Sequence, residues 1–217
     1  MQVIAVPVKA LDRGKRRLAP VLSPSERSRL VLAMLEGVLA AALAQPGWTV
    51  WMLSPSDEAL ALAEAKGARP VPDRAGFLRG AIRAAEAEFG PAVRAMAVVL
   101  ADLPLLTATA LGYGLETSAS VAVAATPAHA DGGTNLLVRR PPRVIPARFG
   151  RSSFDRHRAE AYRRGLTLLD LRRWEIEFDV DTPEDLAAWS REPGDGPASR
   201  EALALGLKDR LAAAAAR

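Results

Sequence analysis

The sequence predicts an α/β protein built on a doubly wound, mostly parallel sheet. Short apolar runs at 2–8, 48–53, 68–71, 94–100 and 118–125 alternate with helical stretches, the β-α-β rhythm of such sheets. Helix starts are marked by capping residues, Ser23, Ser56, Thr107 and Thr182. Cations and carboxylates fall where the apolar runs end, the edge at which open α/β sheets bind ligands.

Gln2 to Val8 has the continuous apolar character of a strand covered on both faces. The loop that follows, Lys9 to Leu18, carries five cations and one acid. A basic loop after a first strand is where α/β proteins bind phosphates; the alternative is an ordinary solvated loop. It is not a Walker loop, because no G-x-x-x-x-G-K-[ST] pattern is present. Ser23-Pro24-Ser25-Glu26 is a capping box with proline at the first helical position. The helix it opens places Leu30, Met34, Leu35, Val38, Leu39 and Ala42 on one stripe and ends at Pro46-Gly47. A second strand covers 48–53. A helix capped by Ser56 stops at Gly67, and 68–71 forms a short third strand. Asp73 to Gly76 is a loop into a helix over 77–89.

Residues 94–100 form the strongest strand and end in Ala101-Asp102-Leu103-Pro104. A carboxylate at that end faces the crevice above the sheet rather than the packing below it. Thr107 caps a helix to Thr117, and 118–125 is another buried strand. Asp131-Gly132-Gly133-Thr134-Asn135 is a tight polar turn before a strand to Arg139, and its paired glycines allow a ligand to approach the backbone. A helix over 155–164 follows, whose first amides, with Ser152 and Ser153, offer an anion site. His157 lies one turn after Ser153 on the same face, where it can meet a phosphate, although a partly exposed helical histidine is the commoner reading. Leu166 to Leu171 is a further strand.

Phe178-Asp179-Val180-Asp181-Thr182-Pro183-Glu184-Asp185 combines two acids with a helix start. In an extended chain Asp179 and Asp181 point to one face, where two anions repel unless a cation joins them. Thr182 is the cap, Pro183 the first helical residue and Asp185 the third-position acid of a capping box. The alternative is a capped helix preceded by two solvated acids. By composition, 1–190 is one domain, 191–198 a linker and 199–217 a C-terminal Ala/Leu-rich helix. That helix, with Leu203, Leu207 and Leu211 on one side, reads as packing or a homodimer contact, the alternative being a frayed tail.

The chain of 217 residues is 49% hydrophobic but only 5% aromatic, so its core is built from Ala, Leu and Val. It has no cysteine, which excludes disulfides and thiolate metal sites and favours Mg²⁺ over Zn²⁺. No apolar run reaches the roughly 20 residues of a membrane span, and no secretory signal opens the chain, so a cytoplasmic enzyme with no membrane partner is expected. Residues 139–173 hold eleven arginines against three acids. A nucleic-acid-binding domain is the non-enzyme alternative, but the aromatic interleaving such surfaces use is missing, and no nucleic-acid partner is expected.

Five segments in this order resemble the 2-phospho-L-lactate guanylyltransferase family, the phosphoenolpyruvate or phospholactate guanylyltransferases of coenzyme F-420 biosynthesis. They are Val6-Pro7-Val8-Lys9 with Lys15-Arg16-Arg17-Leu18, Ala101-Asp102-Leu103-Pro104-Leu105-Leu106, Asp131-Gly132-Gly133-Thr134-Asn135, Phe149-Gly150 with Ser153 and His157, and Asp179-Val180-Asp181-Thr182-Pro183. The resemblance implies a GT-A-like nucleotidyltransferase fold of the nucleotide-diphospho-sugar transferase type. It also implies Mg²⁺-dependent transfer of GMP from GTP to the phosphate of a small phosphorylated carboxylic acid. Asp102, Asp179 and Asp181 are then the metal ligands. Thr134, Asn135, Gly150, Ser153 and His157 form the acceptor site, and Lys9, Lys15, Arg17, Asp73 and Gly76 the nucleotide site, with Lys9, Lys15, Arg17 and Asp102 serving catalysis. Two departures border the substrates: the glycine turn is one residue shorter than the family's Asp-Gly-x-Gly-Thr-Asn, and Leu78-Arg79 stands where Leu-Asn is common. The acceptor can be phosphoenolpyruvate, 2-phospholactate or 3-phosphoglycerate. The rival within enzymes is a cytidylyl- or sugar-nucleotidyltransferase.

Overall fold

A computed structural model describes residues 1–9, 15–74, 76–191 and 194–215. The middle of the basic loop, residues 10–14, lies outside the described residues. Among those described, the strands are β1 (Gln2–Pro7), β2 (Trp48–Ser54), β3 (Arg69–Pro72), β4 (Ala95–Val99), β5 (Val123–Pro127), β6 (Thr134–Arg139) and β7 (Leu168–Asp170). The helices are α1 (Pro24–Leu43), α2 (Asp57–Ala65), α3 (Leu78–Ala87), α4 (Ala108–Thr117), α5 (Ser153–Arg163), α6 (Trp174–Glu177), α7 (Pro183–Trp189), α8 (Pro197–Ala204) and α9 (Leu207–Ala215).

The strands form one sheet in the order β3-β2-β1-β4-β6-β5-β7. Only β6 runs antiparallel to its neighbours, β4 and β5, so the sheet is mostly parallel as expected. After β3 the chain returns past β1 to add β4 on its other side. That reversal opens a crevice above the carboxyl ends of β1 and β4. The apolar strands are covered on both faces. Ile4, Val6, Val99 and Leu136 pack with Leu30, Leu111 and Leu186 of α1, α4 and α7. Val3, Ala5, Val98 and Leu137 pack with Ile82, Phe154 and Ala161 of α3 and α5.

The caps act as the sequence requires. Ser23 Oγ accepts the Glu26 N–H while a Glu26 carboxylate oxygen accepts the Ser23 N–H, and Thr182 and Asp185 repeat the exchange at α7. Several boundaries differ. β5 begins at Val123 rather than 118, because Ser118 still closes the last turn of α4, its hydroxyl donating to the Leu115 carbonyl at 3.0 Å. α5 begins at Ser153, not 155. The one helix expected over 199–217 is, as far as residue 215, two helices, α8 and α9, divided at Gly206, whose φ of 60° belongs to the left-handed region. Leu203 is consequently 84% exposed, whereas Leu207 is buried. Both helices tie back to the body: Glu201 pairs with Arg29, and Arg210 donates to Glu26 and to the Val21 carbonyl. No described helix is long and apolar enough to cross a membrane.

Candidate active site

A cavity of about 560 Å³ opens above the carboxyl ends of β1, β2 and β4, with Lys9, Lys15, Asp73, Gly76, Asp102 and Asp181 in its wall. They come from four loops: Lys9 and Lys15 follow β1, Asp73 and Gly76 follow β3, Asp102 follows β4, and Asp181 precedes α7. Asp102 follows β4, and the Val180 N–H donates to its carbonyl at 3.3 Å, stitching the Asp179–Asp181 segment to that strand end. This segment is not the strand extension its sequence implied. It follows the short helix α6 and runs as irregular chain into the cap of α7. A single Asp185 carboxylate oxygen accepts the N–H groups of both Asp181 and Thr182, at 3.0 and 2.8 Å. The cap that starts α7 therefore also orients Asp181.

Asp102, Asp179 and Asp181 offer one oxygen each, and the three lie within 4.8 Å of one another. Burial, then repulsion from Asp102, pushes the Asp179 carboxyl up to about 6. Burial acts in the same direction on Asp181, but the Lys15 ammonium overrides it and lowers that carboxyl, helped by Arg17 and Lys9. Lys15 adopts a left-handed backbone conformation, φ 50°, and its Nζ lies 2.6 Å from Asp102 Oδ2 and 2.7 Å from Asp181 Oδ1. Burial opposes its charge, yet these two carboxylates raise its pKa above the ordinary lysine value. Asp102 Oδ1 is buried with no hydrogen-bond partner among the described residues. An unpartnered buried carboxylate oxygen beside two more carboxylates is a donor set that fits a hard divalent cation.

Lys9 and Arg17 are exposed on the cation side. Asp73 stands on the far side, its N–H donating to the Ser54 carbonyl at 2.8 Å, with Gly76 in a left-handed turn beyond it at φ 71°.

The polar turn and α5 supply the remaining predicted residues. The pairing of β5 with β6 shifts register between Thr126↔Leu136 and Pro127↔Thr134, a bulge that leaves Asn135 unopposed on β5. Simple alternation would send Thr134 with Leu136 and Asn135 with Leu137. Instead Thr134 meets Ser153 and His157 on the α5 side, and Asn135 turns to the opposite face. There its Nδ2 donates to the carbonyls of Ile176 and Glu177, at 2.9 and 3.0 Å, and to Asp179 Oδ1 at 3.3 Å. Asn135 thus holds a member of the acidic triad.

Ser153 and His157 are fully buried. The start of α5 is not an array of open amides. Ser152, Ser153 and Phe154 donate their N–H groups to the carbonyls of Asp131, Gly150 and Gly132. Gly150 itself is exposed at φ 114°, where a side chain would be strained. The turn is held locally by the Gly133 N–H on Asp131 Oδ1 at 2.7 Å; a Cβ on Gly133 would meet that same oxygen at 2.7 Å.

Sequence reasoning assigned no role to His129. Its Nδ1 lies 3.4 Å from Asp179 Oδ1 and its Nε2 3.3 Å from Asp185 Oδ1, while the ring stacks on Phe178 at 4.9 Å. Nothing in its local sequence signals this, because the partners lie about fifty residues away in the chain. Many arginines of 139–173 have partners within the chain. Arg139 pairs with Glu86, Arg158 with Asp155, Arg163 and Arg164 with Glu160, and Arg172 with Asp170.

The sequence profile of a family described as guanylyl transferase CofC like matches residues 1–205. A phosphoenolpyruvate guanylyltransferase from Roseiflexus castenholzii is 40% identical over 195 residues, covering 90% of each chain. One from Sphaerobacter thermophilus is 38% identical over 85% of this chain and 90% of its own. A 2-phospho-L-lactate guanylyltransferase from Methanothermobacter thermautotrophicus is 33% identical over 91% of this chain and 87% of its own. Among solved structures, a nucleotide-diphospho-sugar transferase from Desulfovibrio desulfuricans G20 superposes with a TM-score of 0.76 at 20% identity, covering 94% of this chain and 96% of that one. The fold is therefore that of nucleotide-diphospho-sugar transferases.

Proposed function

The chain belongs to the CofC-like guanylyl transferase family and is a nucleotidyltransferase; on that premise we propose that it transfers GMP from GTP to the phosphate of phosphoenolpyruvate or 2-phospho-L-lactate, in coenzyme F-420 biosynthesis. The names of its relatives support both acceptors, and the two phosphoenolpyruvate enzymes described above are more identical to it than the 2-phospho-L-lactate enzyme. The observation that carries the reading is the convergence of Asp102, Asp181 and Lys15 at the wall of a nucleotide-sized cavity, with Asp179 beside them.

An oxygen of the acceptor phosphate attacks the α-phosphorus of GTP. The bond from that phosphorus to the bridging oxygen breaks, and pyrophosphate leaves. The acceptor is already anionic, so no nucleophilic side chain or general base is needed. The protein's task is to bring two anions together and hold them in line. Lys9, Lys15 and Arg17 hold phosphate oxygens, and Lys15, tethered by two carboxylates, keeps its charge throughout the working pH range. Asp73 and Gly76 line the nucleoside side. Thr134 and Gly150 face the acceptor carboxylate, with Ser153 and His157 behind Thr134, while Asn135 lies on the other face against Asp179. Asp102, Asp179 and Asp181 would hold Mg²⁺, which when bound neutralises charge on the reacting phosphates.

The test is a transfer assay with Mg²⁺, offering GTP, CTP, UTP and ATP in turn, each with phosphoenolpyruvate, 2-phospholactate and 3-phosphoglycerate. Pyrophosphate release and product mass are recorded. A guanylylated phosphoenolpyruvate or phospholactate is expected. Preference for CTP or UTP would reassign the chain to cytidylyl or sugar-nucleotide chemistry.

A further inference from the structure

The protons of the Thr134–Ser153–His157 cluster can be placed one by one. The Arg148 N–H donates to His157 Nε2 at 2.8 Å. That nitrogen is therefore an acceptor, and in a neutral imidazole the ring proton must sit on Nδ1. His157 Nδ1 lies 3.1 Å from Thr134 Oγ1, so it is the donor of that contact. Ser153 Oγ donates to the same Thr134 oxygen at 2.9 Å. A hydroxyl oxygen accepts two hydrogen bonds and donates one. Both acceptor positions of Thr134 are filled, and no acceptor among the described residues takes its proton.

We propose that His157 is a positioning residue: locked as its Nδ1–H tautomer by the Arg148 amide, it joins Ser153 in saturating Thr134 Oγ1, which leaves the Thr134 O–H as a committed donor to the carboxylate of the acceptor. A free threonine hydroxyl rotates and can donate or accept. This one is pre-set to donate, which suits an anionic ligand and rejects one that presents a donor. The device rests on the reading of Thr134 as part of the acceptor-carboxylate site. It also gives the fully buried His157 a role that needs no contact with a substrate. The ring is kept neutral by burial, then by the positive charges of Arg139, Arg156 and Arg148, which bring its pKa down to about 3. Phe149 meets its edge at 5.6 Å, and among the groups named here no carboxylate faces it to draw a proton.

Two measurements test it. In protein carrying ¹⁵N-histidine, with His129→Gln used to assign the second ring, His157 should show a protonated Nδ1 and a bare Nε2 between pH 5 and 8. An Nε2–H tautomer or an imidazolium overturns the proposal. In steady-state kinetics with phosphoenolpyruvate and GTP, Thr134→Val should raise the acceptor KM by at least about tenfold, the loss of one charge-assisted hydrogen bond. His157→Leu should raise the same KM severalfold with the KM for GTP unchanged. His157→Asn, whose amide can stand at the Nδ1 position, should recover part of that loss, and the wild-type acceptor KM should show no histidine break across pH 5–8. If Thr134→Val has its effect but neither histidine variant moves the acceptor KM, the positioning role is wrong and the acceptor site stands. If Thr134→Val leaves the acceptor KM unchanged in an active enzyme, both fall. Should His157→Leu not fold, the tautomer and the Asn variant still decide.

Discussion

Lys15 Nζ lies 2.6 Å from Asp102 Oδ2, which clamps the loop after β1 to the loop after β4. The clamp sets what loss of either partner does. In Asp102→Asn one of three candidate metal ligands becomes neutral, while Lys15 keeps its contact with Asp181. Turnover should fall by more than about a hundredfold with the fold intact. Steady-state rates alongside a circular dichroism melt check this, and a variant with full activity would remove the triad from the chemistry.

Chelation should abolish transfer, and Mg²⁺ should restore it. Asn135 sharpens this test, because it touches Asp179 without belonging to the triad. Asn135→Ala should weaken divalent-cation binding by about ten- to a hundredfold, the usual effect of losing a residue that orients a ligand. Mn²⁺ titration followed by electron paramagnetic resonance, without nucleotide, reads this directly. The same change leaves the Ile176 carbonyl without its donor, while the Glu177 carbonyl keeps the His129 N–H, and should cost about 1–3 kcal/mol of stability.

Base choice is expected to depend on Asp73. A carboxylate accepts hydrogen bonds only, and guanine presents its ring N–H and its amino group side by side. Asp73 follows β3, three strand positions from β4, so it lies roughly 14 Å from the Asp102 end of the cavity. Asp73→Asn should lower kcat/KM for GTP by about a hundredfold or more and improve the relative use of xanthosine triphosphate. Equal losses on both nucleotides would place the base elsewhere.

Far from the site, Arg139 is fully buried in β6 against Glu86 of α3, with 2.7 Å between Arg139 Nη1 and Glu86 Oε1. The contact is an ion pair rather than an aligned hydrogen bond, since that oxygen finds no hydrogen-bond partner. Glu86→Ala strands a buried guanidinium and should cost about 3–5 kcal/mol in denaturant unfolding. A smaller change would mean that water or the Ile145 carbonyl, which already accepts from Nη1, compensates.

His157 gives stability a predictable pH slope. Its pKa falls from 6.5 in the unfolded chain to about 3 in the native protein. Between those values the unfolded state binds one proton more, so stability declines as pH drops through that window, by up to about 1.4 kcal/mol per pH unit. His157→Asn should remove this contribution. Unfolding midpoints measured from pH 7 to 4 for the two proteins should therefore converge as pH falls.

The sequence by itself determined the α/β rhythm, the capping boxes at Ser23 and Thr182, and the candidacy of Asp102, Asp179 and Asp181. Those features are local: apolar runs, cap spacing and an acid after a strand each show within a few residues. The family motifs likewise stand as short words in the chain. What only the tertiary structure decided are contacts between words. Lys15 reaches Asp181 across 166 positions, and His129 stands beside both Asp179 and Asp185. The bulge at Asn135 turns that residue to Asp179 and Thr134 to His157, against the alternation its sequence implies. Such choices depend on strand order and register, which long-range packing sets. The sequence therefore supplied candidates for the site, and the fold decided which of them touch.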